Sequence, residues 1–283
     1  MEYTLPNAVV REQDLRGKNA IVTGATRGIG RGIAFHLAAR GANILGTCSS
    51  EGSLKLIASL QEEIKALYQE KNPGNHPAPK IFGVVASLTE PQECCSVVVD
   101  AVKDHLSGDV NILVQNAAVA EIQPIETIDE GHVHRSLTGN IETPIFLIKA
   151  LLPHFRPESR IVNISSEGAR LSAPGGLVYS ACKAALEAMT RVWAEELGKR
   201  KGMERTTVNA LSVGLTRTDL VKNLSEDDPI TKVMVSRTQL VCVEERFGEP
   251  DDIAEIAGWL CTEKARWVTG SVMNANGGVT KIL

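Results

Sequence analysis

The sequence predicts an α/β fold, a single doubly wound parallel sheet with helices on both faces. Three observations carry this. Short, nearly continuous apolar runs alternate with longer amphipathic stretches of helical period. The first such run leads straight into a glycine-rich turn, TGATRGIG at 23–30, where a helix begins. No repeat, low-complexity block or linker divides the 283 residues.

The elements follow in order. A polar lead over 1–17 precedes a buried strand at 19–23, Asn-Ala-Ile-Val-Thr. The next segment places Ile29, Ile33, Leu37 and Ala38 at helical spacing, and Gly41 ends it. A second strand is expected at 43–47. A helix over 54–69 carries Ile57, Leu60, Ile64 and Leu67 on one face. Residues 71–77, Lys-Asn-Pro-Gly-Asn-His-Pro, have the turn chemistry of a surface loop. Further strands are expected at 81–85, 110–115, 160–164 and 207–211, and a last one near 271–273. The domain is read as 18–283, with 215–245 as its largest excursion.

Composition narrows the functional classes. Thirty basic against 34 acidic side chains give a net charge of −4, which offers nucleic acid no global attraction. Apolar runs such as Ile145-Phe146-Leu147-Ile148 fall far short of the roughly 20 residues that span a bilayer, so no membrane partner is expected. The six cysteines form no CxxC pair, and Cys94 and Cys95 are adjacent. They read as reduced, buried small hydrophobes of an intracellular, cytoplasmic protein. The N-terminus lacks the basic stretch and apolar core of a signal peptide, and Lys281-Ile282-Leu283 resembles a peroxisomal ending only loosely.

The glycine turn points to a nucleotide. Gly24 and Gly28 let the backbone turn tightly and approach a bulky anion, and Gly30 lets the helix pack close to the sheet. The helix start then offers free N–H groups to a pyrophosphate. An NAD site usually carries an acidic residue after the second strand; here that place reads Thr47-Cys48-Ser49-Ser50, with the first carboxylate at Glu51. Hydroxyls there and Arg27 in the turn suit the 2′-phosphate of NADP(H). The bland alternatives are a glycine loop without ligand and a solvated arginine.

Only one of the three tyrosines has a lysine four residues on: Tyr179-Ser180-Ala181-Cys182-Lys183. The segment is helical, so the two share a face, and a cation there is expected to lower the tyrosine pKa for proton transfer. Ser166 lies at the end of the 160–164 strand, where an open α/β sheet places its ligands. Alone, the tyrosine–lysine pair reads as a surface helix pair. Joined to the glycine turn and a strand-end serine, it reads as catalytic.

These motifs resemble the short-chain dehydrogenase/reductase family, in particular its 3-oxoacyl-carrier-protein reductase-like branch. The likeness covers about 16–280. It includes TGATRGIG, Gln115-Asn116-Ala117-Ala118 for the family's NNAG, and Asn140 for its helix asparagine. Glu245-Arg246-Phe247-Gly248-Glu249-Pro250 and the Asn276-Gly277-Gly278 ending also fit. The resemblance implies a Rossmann-type fold and a catalytic set of Asn140, Ser166, Tyr179 and Lys183. Tyr179 donates a proton, Ser166 holds the carbonyl oxygen, Lys183 bonds the nicotinamide ribose, and Asn140 positions a water. Cofactor contacts are implied at Gly24, Thr26, Arg27, Gly28, Ile29 and Gly30, then at Ser49, Ser50, Ser87 and Asn116. Tyr179, Lys183, Gly214, Thr216 and Thr218 complete them, Thr218 toward the carboxamide. The resemblance further implies a homotetramer or homodimer that pairs the helices carrying Asn140 and Tyr179.

Four positions depart from the family's pattern. QNAA replaces NNAG, Ser87 stands for an aspartate or asparagine at the adenine, Val213 for a proline, and Asn276 for an aspartate. His132 and His134 have no completing ligand at metal spacing and read as polar helix residues, so no metal is expected. Arg156, Arg160, Lys199, Arg200 and Lys201 read as a solvated face rather than a patch for an acidic carrier or CoA. Ser225–Pro229 read as part of a mobile lid. Leu220, Val221, Leu224, Val233, Val235 and Leu240 hint faintly at a non-polar substrate. The function expected is NADPH-dependent reduction of a small-molecule ketone, 3-oxoacyl, polyketide-like or cyclic. The alternatives are an NAD(P)⁺-dependent secondary-alcohol dehydrogenase, and a reductase fold recruited for non-redox chemistry or nucleotide-dependent regulation.

Overall fold

Strand side chains alternate between faces, and here both faces are apolar. In the first strand Ala20 and Val22 join one core while Ile21 joins the other. In the fourth, Ile112 and Val114 face one way and Leu113 the other. Each face therefore needs a helical cover. A computed structural model describes residues 10–72, 74–171, 174–218 and 229–282 and supplies both covers.

Seven parallel strands lie in the order β3-β2-β1-β4-β5-β6-β7. They are β1 (Asn19–Val22), β2 (Asn43–Cys48), β3 (Ile81–Val85), β4 (Val110–Gln115), β5 (Phe155–Ser166), β6 (Thr207–Val213) and β7 (Val272–Ala275). One face is covered by α1 (Gly28–Ala39), α2 (Glu51–Glu70) and, after β6, by α8 (Pro250–Leu260). The other is covered by α3 (Pro91–His105), α5 (Thr143–Leu151) and α6 (Leu177–Gly198), with α4 (Glu130–Leu137) packed against α6. A further helix, α7 (Pro229–Thr238), lies between β6 and α8. The strand order reverses between β1 and β4, and such a switch point opens a crevice at the carboxyl ends of the strands.

The doubly wound parallel sheet agrees with the sequence reading. β5 runs well beyond the predicted 160–164, and β6 and β7 extend to Val213 and Ala275. The lead contributes a strap rather than a strand. Arg11 pairs with Glu255, and Arg40 Nε donates to Asp14 at 2.9 Å. Gln13 donates to the carbonyl of Ala39 at 3.0 Å. Residues 1–9, Pro73, 172–173 and 219–228 lie outside the described residues, and with them Leu220, Val221, Leu224 and the 225–228 part of the predicted lid. Among the described residues no helix is long and apolar enough to cross a membrane.

Two expectations are corrected. Arg160 is not part of a solvated face: it is buried, and its guanidinium donates to the carbonyls of Glu158, Ser159, Arg205 and Thr262 and pairs with Glu263. His132 and His134 lie on α4 as the polar helix residues expected, and α4 turns the buried His132 toward the loop after β4, with Nδ1 3.2 Å from Glu121. Five cysteines are buried, but Cys242 is exposed, since the segment after α7 runs over the surface. Burial pushes the Cys94 and Cys261 thiols up to about 12, so both stay protonated at neutral pH.

Arg160→Met is expected to destabilise the fold by about 3 kcal/mol or more, because buried carbonyls lose their donor. Chemical denaturation checks this, and an unchanged midpoint would contradict the anchoring role.

Candidate active site

The turn after β1 is built by the absence of side chains. A Cβ on Gly30 would stand 2.2 Å from the carbonyl oxygen of Gly24 and 2.4 Å from Asn116 Nδ2. Gly24 itself has a positive φ, 68°, and its Cβ would meet Ala117 at 3.1 Å. Asn116 holds the turn from β4: its Nδ2 donates to the carbonyls of Thr23 and Gly24 at 2.9 and 3.3 Å. Thr23 Oγ1 in return accepts the N–H groups of Asn116 and Ala117.

Over this turn lies a cavity of about 410 Å³. Of the predicted cofactor residues, Gly24, Thr26, Arg27, Ser49, Ser87 and Asn116 line it. No carboxylate belongs to its lining, while Arg27 and Ser49 are exposed toward it. That donor set and the glycine cradle fit a nucleotide carrying an extra phosphate better than one whose ribose 2′-hydroxyl needs an acid. Ser50 does not line the cavity: it precedes α2, and its hydroxyl pairs with Ser53 at 2.9 Å. Ile29 packs on the core. Gly28 lies under Thr218, whose Cγ2 would be 3.1 Å from an added Cβ, so the loop after β6 reaches the glycine turn.

Ser166 ends β5, and Tyr179 and Lys183 lie one turn apart on α6, which packs on β5 and β6. Burial pushes the Tyr179 phenol up to about 12, against a hydrogen bond with Ser166 that pulls it down. Lys183 Nζ is 5.6 Å from the Tyr179 ring centroid and donates to the carbonyl of Ile164 at 2.7 Å. The expected lowering of the tyrosine is therefore corrected. Burial brings Lys183 itself down to about 8, and burial is also the largest influence on the phenol.

Asn140 sits in a π-helical turn, Thr138–Glu142, that joins α4 to α5. Such insertions recur at functional sites. Both its amide hydrogens are used: Nδ2 donates to the carbonyls of Val119 and Ser136 at 2.9 Å each, while Oδ1 accepts the Val119 N–H at 3.0 Å. The side chain thus clamps the loop after β4, and its donors have no hydrogen left for a water.

A larger cavity, about 500 Å³, lies toward β7 and is lined by Gly214, Thr216, Val241, Val243 and Glu167 among others. Neither Ser166 nor Tyr179 lines it. The sequence reading missed Glu167. This buried carboxylate, one residue after Ser166, takes Arg237 of α7 at 3.1 Å and leaves Oε2 without a partner. Burial raises its pKa against the pull of Arg237. A glutamate directly after a strand-end serine was the available signal.

The profile of the family described as enoyl-(acyl carrier protein) reductase matches residues 24–280. Short-chain dehydrogenase/reductase FrzI of a Cladobotryum species is 38% identical over 270 residues, covering 95% of this chain and 98% of FrzI. The 3-oxoacyl-[acyl-carrier-protein] reductase FabG of Staphylococcus epidermidis is 30% identical, covering 93% of this chain and 98% of that protein. The angucycline C-6 ketoreductase LanV, solved with bound NADP, superposes with a TM-score of 0.81 at 29% identity, covering 96% of this chain and 99% of LanV.

Asn140→Ala is expected to cost about 1–3 kcal/mol and to speed hydrogen exchange at the Val119 amide, which loses its acceptor. Native-state exchange measured by NMR checks it; unchanged protection at Val119 would contradict the clamp.

Proposed function

The chain belongs to the short-chain dehydrogenase/reductase family of oxidoreductases, and from that premise we propose that it reduces a ketone to a secondary alcohol with NADPH. The observation that carries the reading is the cluster of Ser166, Tyr179 and Lys183 at the carboxyl end of β5, next to a crevice floored by the glycine turn. Arg27, Ser49 and Ser87 would hold the adenosine end of NADPH, and Gly24 and Gly28 its pyrophosphate. Thr218, which reaches the glycine turn, would take the carboxamide. Bound there, NADPH supplies the hydride.

The remaining work falls to side chains of this chain. Tyr179 gives its proton to the carbonyl oxygen as negative charge develops. Ser166 donates a hydrogen bond to the same oxygen and holds it within reach of the phenol. Lys183, in its charged form, stabilises the phenolate that is left, and Asn140 keeps the Val119 loop in place beside them. A phenol whose pKa is about 12 keeps its proton at neutral pH and so holds the proton that the carbonyl oxygen takes. The substrate proposed is a 3-oxoacyl, polyketide-like or cyclic ketone, in keeping with FabG and LanV as relatives. Leu137, Ile145 and Phe146 on α4–α5 and Leu177 and Val192 on α6 are exposed apolar residues. They suit the proposed pairing of these helices in a homodimer or homotetramer. Six free thiols agree with a reducing, cytoplasmic setting.

Three outcomes test the reading. NADPH consumption is expected with members of a broad ketone panel, with NADPH bound more tightly than NADH. Tyr179→Phe is expected to lower turnover by about 10²-fold or more with nucleotide affinity nearly unchanged. Retained turnover in that variant, or equal affinity for the two nucleotides, would count against it. The reductive kcat/KM of the free enzyme is expected to fall as pH rises through about 8, where Lys183 loses its charge while Tyr179 keeps its proton. A profile flat between about pH 6 and pH 10 would remove Lys183 from this role.

A further inference from the structure

His36 lies in the last turn of α1, and its ring occupies the space that Gly258 of α8 leaves open. A Cβ on Gly258 would stand 2.4 Å from its Nε2. The side chain is 1% exposed, and neither ring nitrogen has a hydrogen-bond partner. Burying two unpaired polar nitrogens is costly, and nothing in the α1–α8 contact compensates it. Nδ1 points toward a pair of carboxylates on α8 and stands 3.8 Å from Glu255 Oε1. Asp251 is the other carboxylate, at i and i+4 with Glu255 and so on the same helix face. One donor atom from each of His36, Asp251 and Glu255 lies within 4.8 Å of the other two.

We propose that His36, Asp251 and Glu255 form a site for a divalent cation of the zinc class, away from the catalytic crevice, that ties α8 to α1. The donor set chooses the metal. An imidazole nitrogen with two carboxylates suits Zn²⁺, Co²⁺ or Ni²⁺, whereas Ca²⁺ and Mg²⁺ prefer oxygen alone. The geometry needs little movement. Ligands at zinc distances in a tetrahedral shell stand about 3.3 Å apart. The ring is fixed by packing, so Asp251 and Glu255, half-buried and exposed, make the adjustment by side-chain rotation. Burial holds His36 neutral, with its pKa lowered to about 4, and the neutral ring is the form that binds metal. The exposed flank of Glu255 gives the ion an entry path and leaves room for a water as fourth ligand.

Arg11 of the N-terminal strap already pairs with Glu255, and Arg40 is held nearby by Asp14. These cations compete with a metal, Arg11 most directly. The Arg11 side chain is 32% exposed and can turn to water, so the metal and the guanidinium exchange on one carboxylate. The consequence is structural. α1 and α8 also touch where Gly32 lies under Pro250, and α1 carries the glycine turn at its other end. A metal at this site would stiffen the support behind the nucleotide crevice.

The test uses the full-length chain, stripped with a chelator and titrated with Zn²⁺ alone by calorimetry. One equivalent per chain is expected, with a rise in Tm. His36 belongs to the helix contact and its replacement threatens the fold, so the two carboxylate variants carry the test. Asp251→Asn and Glu255→Gln are each expected to weaken Zn²⁺ by about tenfold or more and to abolish the rise in Tm. Arg11→Ala is expected to tighten binding severalfold. Absence of stoichiometric uptake, wild-type affinity in both carboxylate variants, Ca²⁺ bound as tightly as Zn²⁺, or weaker binding in Arg11→Ala would each overturn the proposal.

Discussion

Asn116 reaches from the end of β4 to the carbonyls of Thr23 and Gly24, and Thr23 returns two bonds to the backbone after β4. These bonds carry the β1–β4 pairing past its last ladder pair, Val22 with Val114, at the point where the sheet order reverses. An open α/β sheet has its crevice there. With the tie in place, α1 starts where Gly30 lets its backbone touch the Gly24 carbonyl. Arg27 and the α1 amides then take fixed positions over the crevice. The loops after β2, β3 and β6 (Ser49, Ser87 and Thr218) are set around that fixed point.

Desolvation governs the second half of the site. Lys183 and Tyr179 are brought together on α6, and the same packing removes Lys183 from water and leaves Tyr179 half-buried. At ordinary exposure the lysine cation would dominate and the phenol would fall. In the buried site each group is driven toward its neutral form, the phenol to about 12 and the amine to about 8. Proximity fixes which groups can exchange a proton, and burial fixes which protonation state they hold at neutral pH.

The fold and the crevice were legible because they rest on local pattern. Nearly continuous apolar runs, a glycine turn at the first strand end and a tyrosine–lysine pair one helical turn apart are short-range signals. What stayed hidden depends on contacts distant in sequence. The burial that sets the pKa of Lys183, the pairing of Glu167 with Arg237 seventy residues on, and the meeting of His36 with Asp251 and Glu255 have no local period. Arg160 was misread for the same reason. A charged residue in a strand reads as surface unless the carbonyls that surround it are known.

The departures from the family's pattern bear on whether this chain keeps its relatives' chemistry, and most of them have a structural account. Gln115 points away from the crevice. Its amide donates to Asn163 Oδ1 at 3.0 Å, and Asn163 donates to Thr190 Oγ1 at 2.8 Å, a buried amide ladder that ties β4 to β5 and α6. Asn276 accepts the Gly278 N–H at 3.1 Å and donates to Thr280 at 3.2 Å, so it shapes the final glycine turn without a negative charge. Val213 is buried at the end of β6 and joins the core on that face of the sheet. Ser87 pairs its hydroxyl with Thr89 at 2.9 Å and lines the crevice beside Arg27. Replacing a carboxylate there with a hydroxyl removes negative charge from the pocket that the proposal fills with a phosphate. Gln115, Val213 and Asn276 thus fall on the scaffold, whereas Ala118 and Ser87 line the crevice, and Ser87 leaves it without a carboxylate at that position.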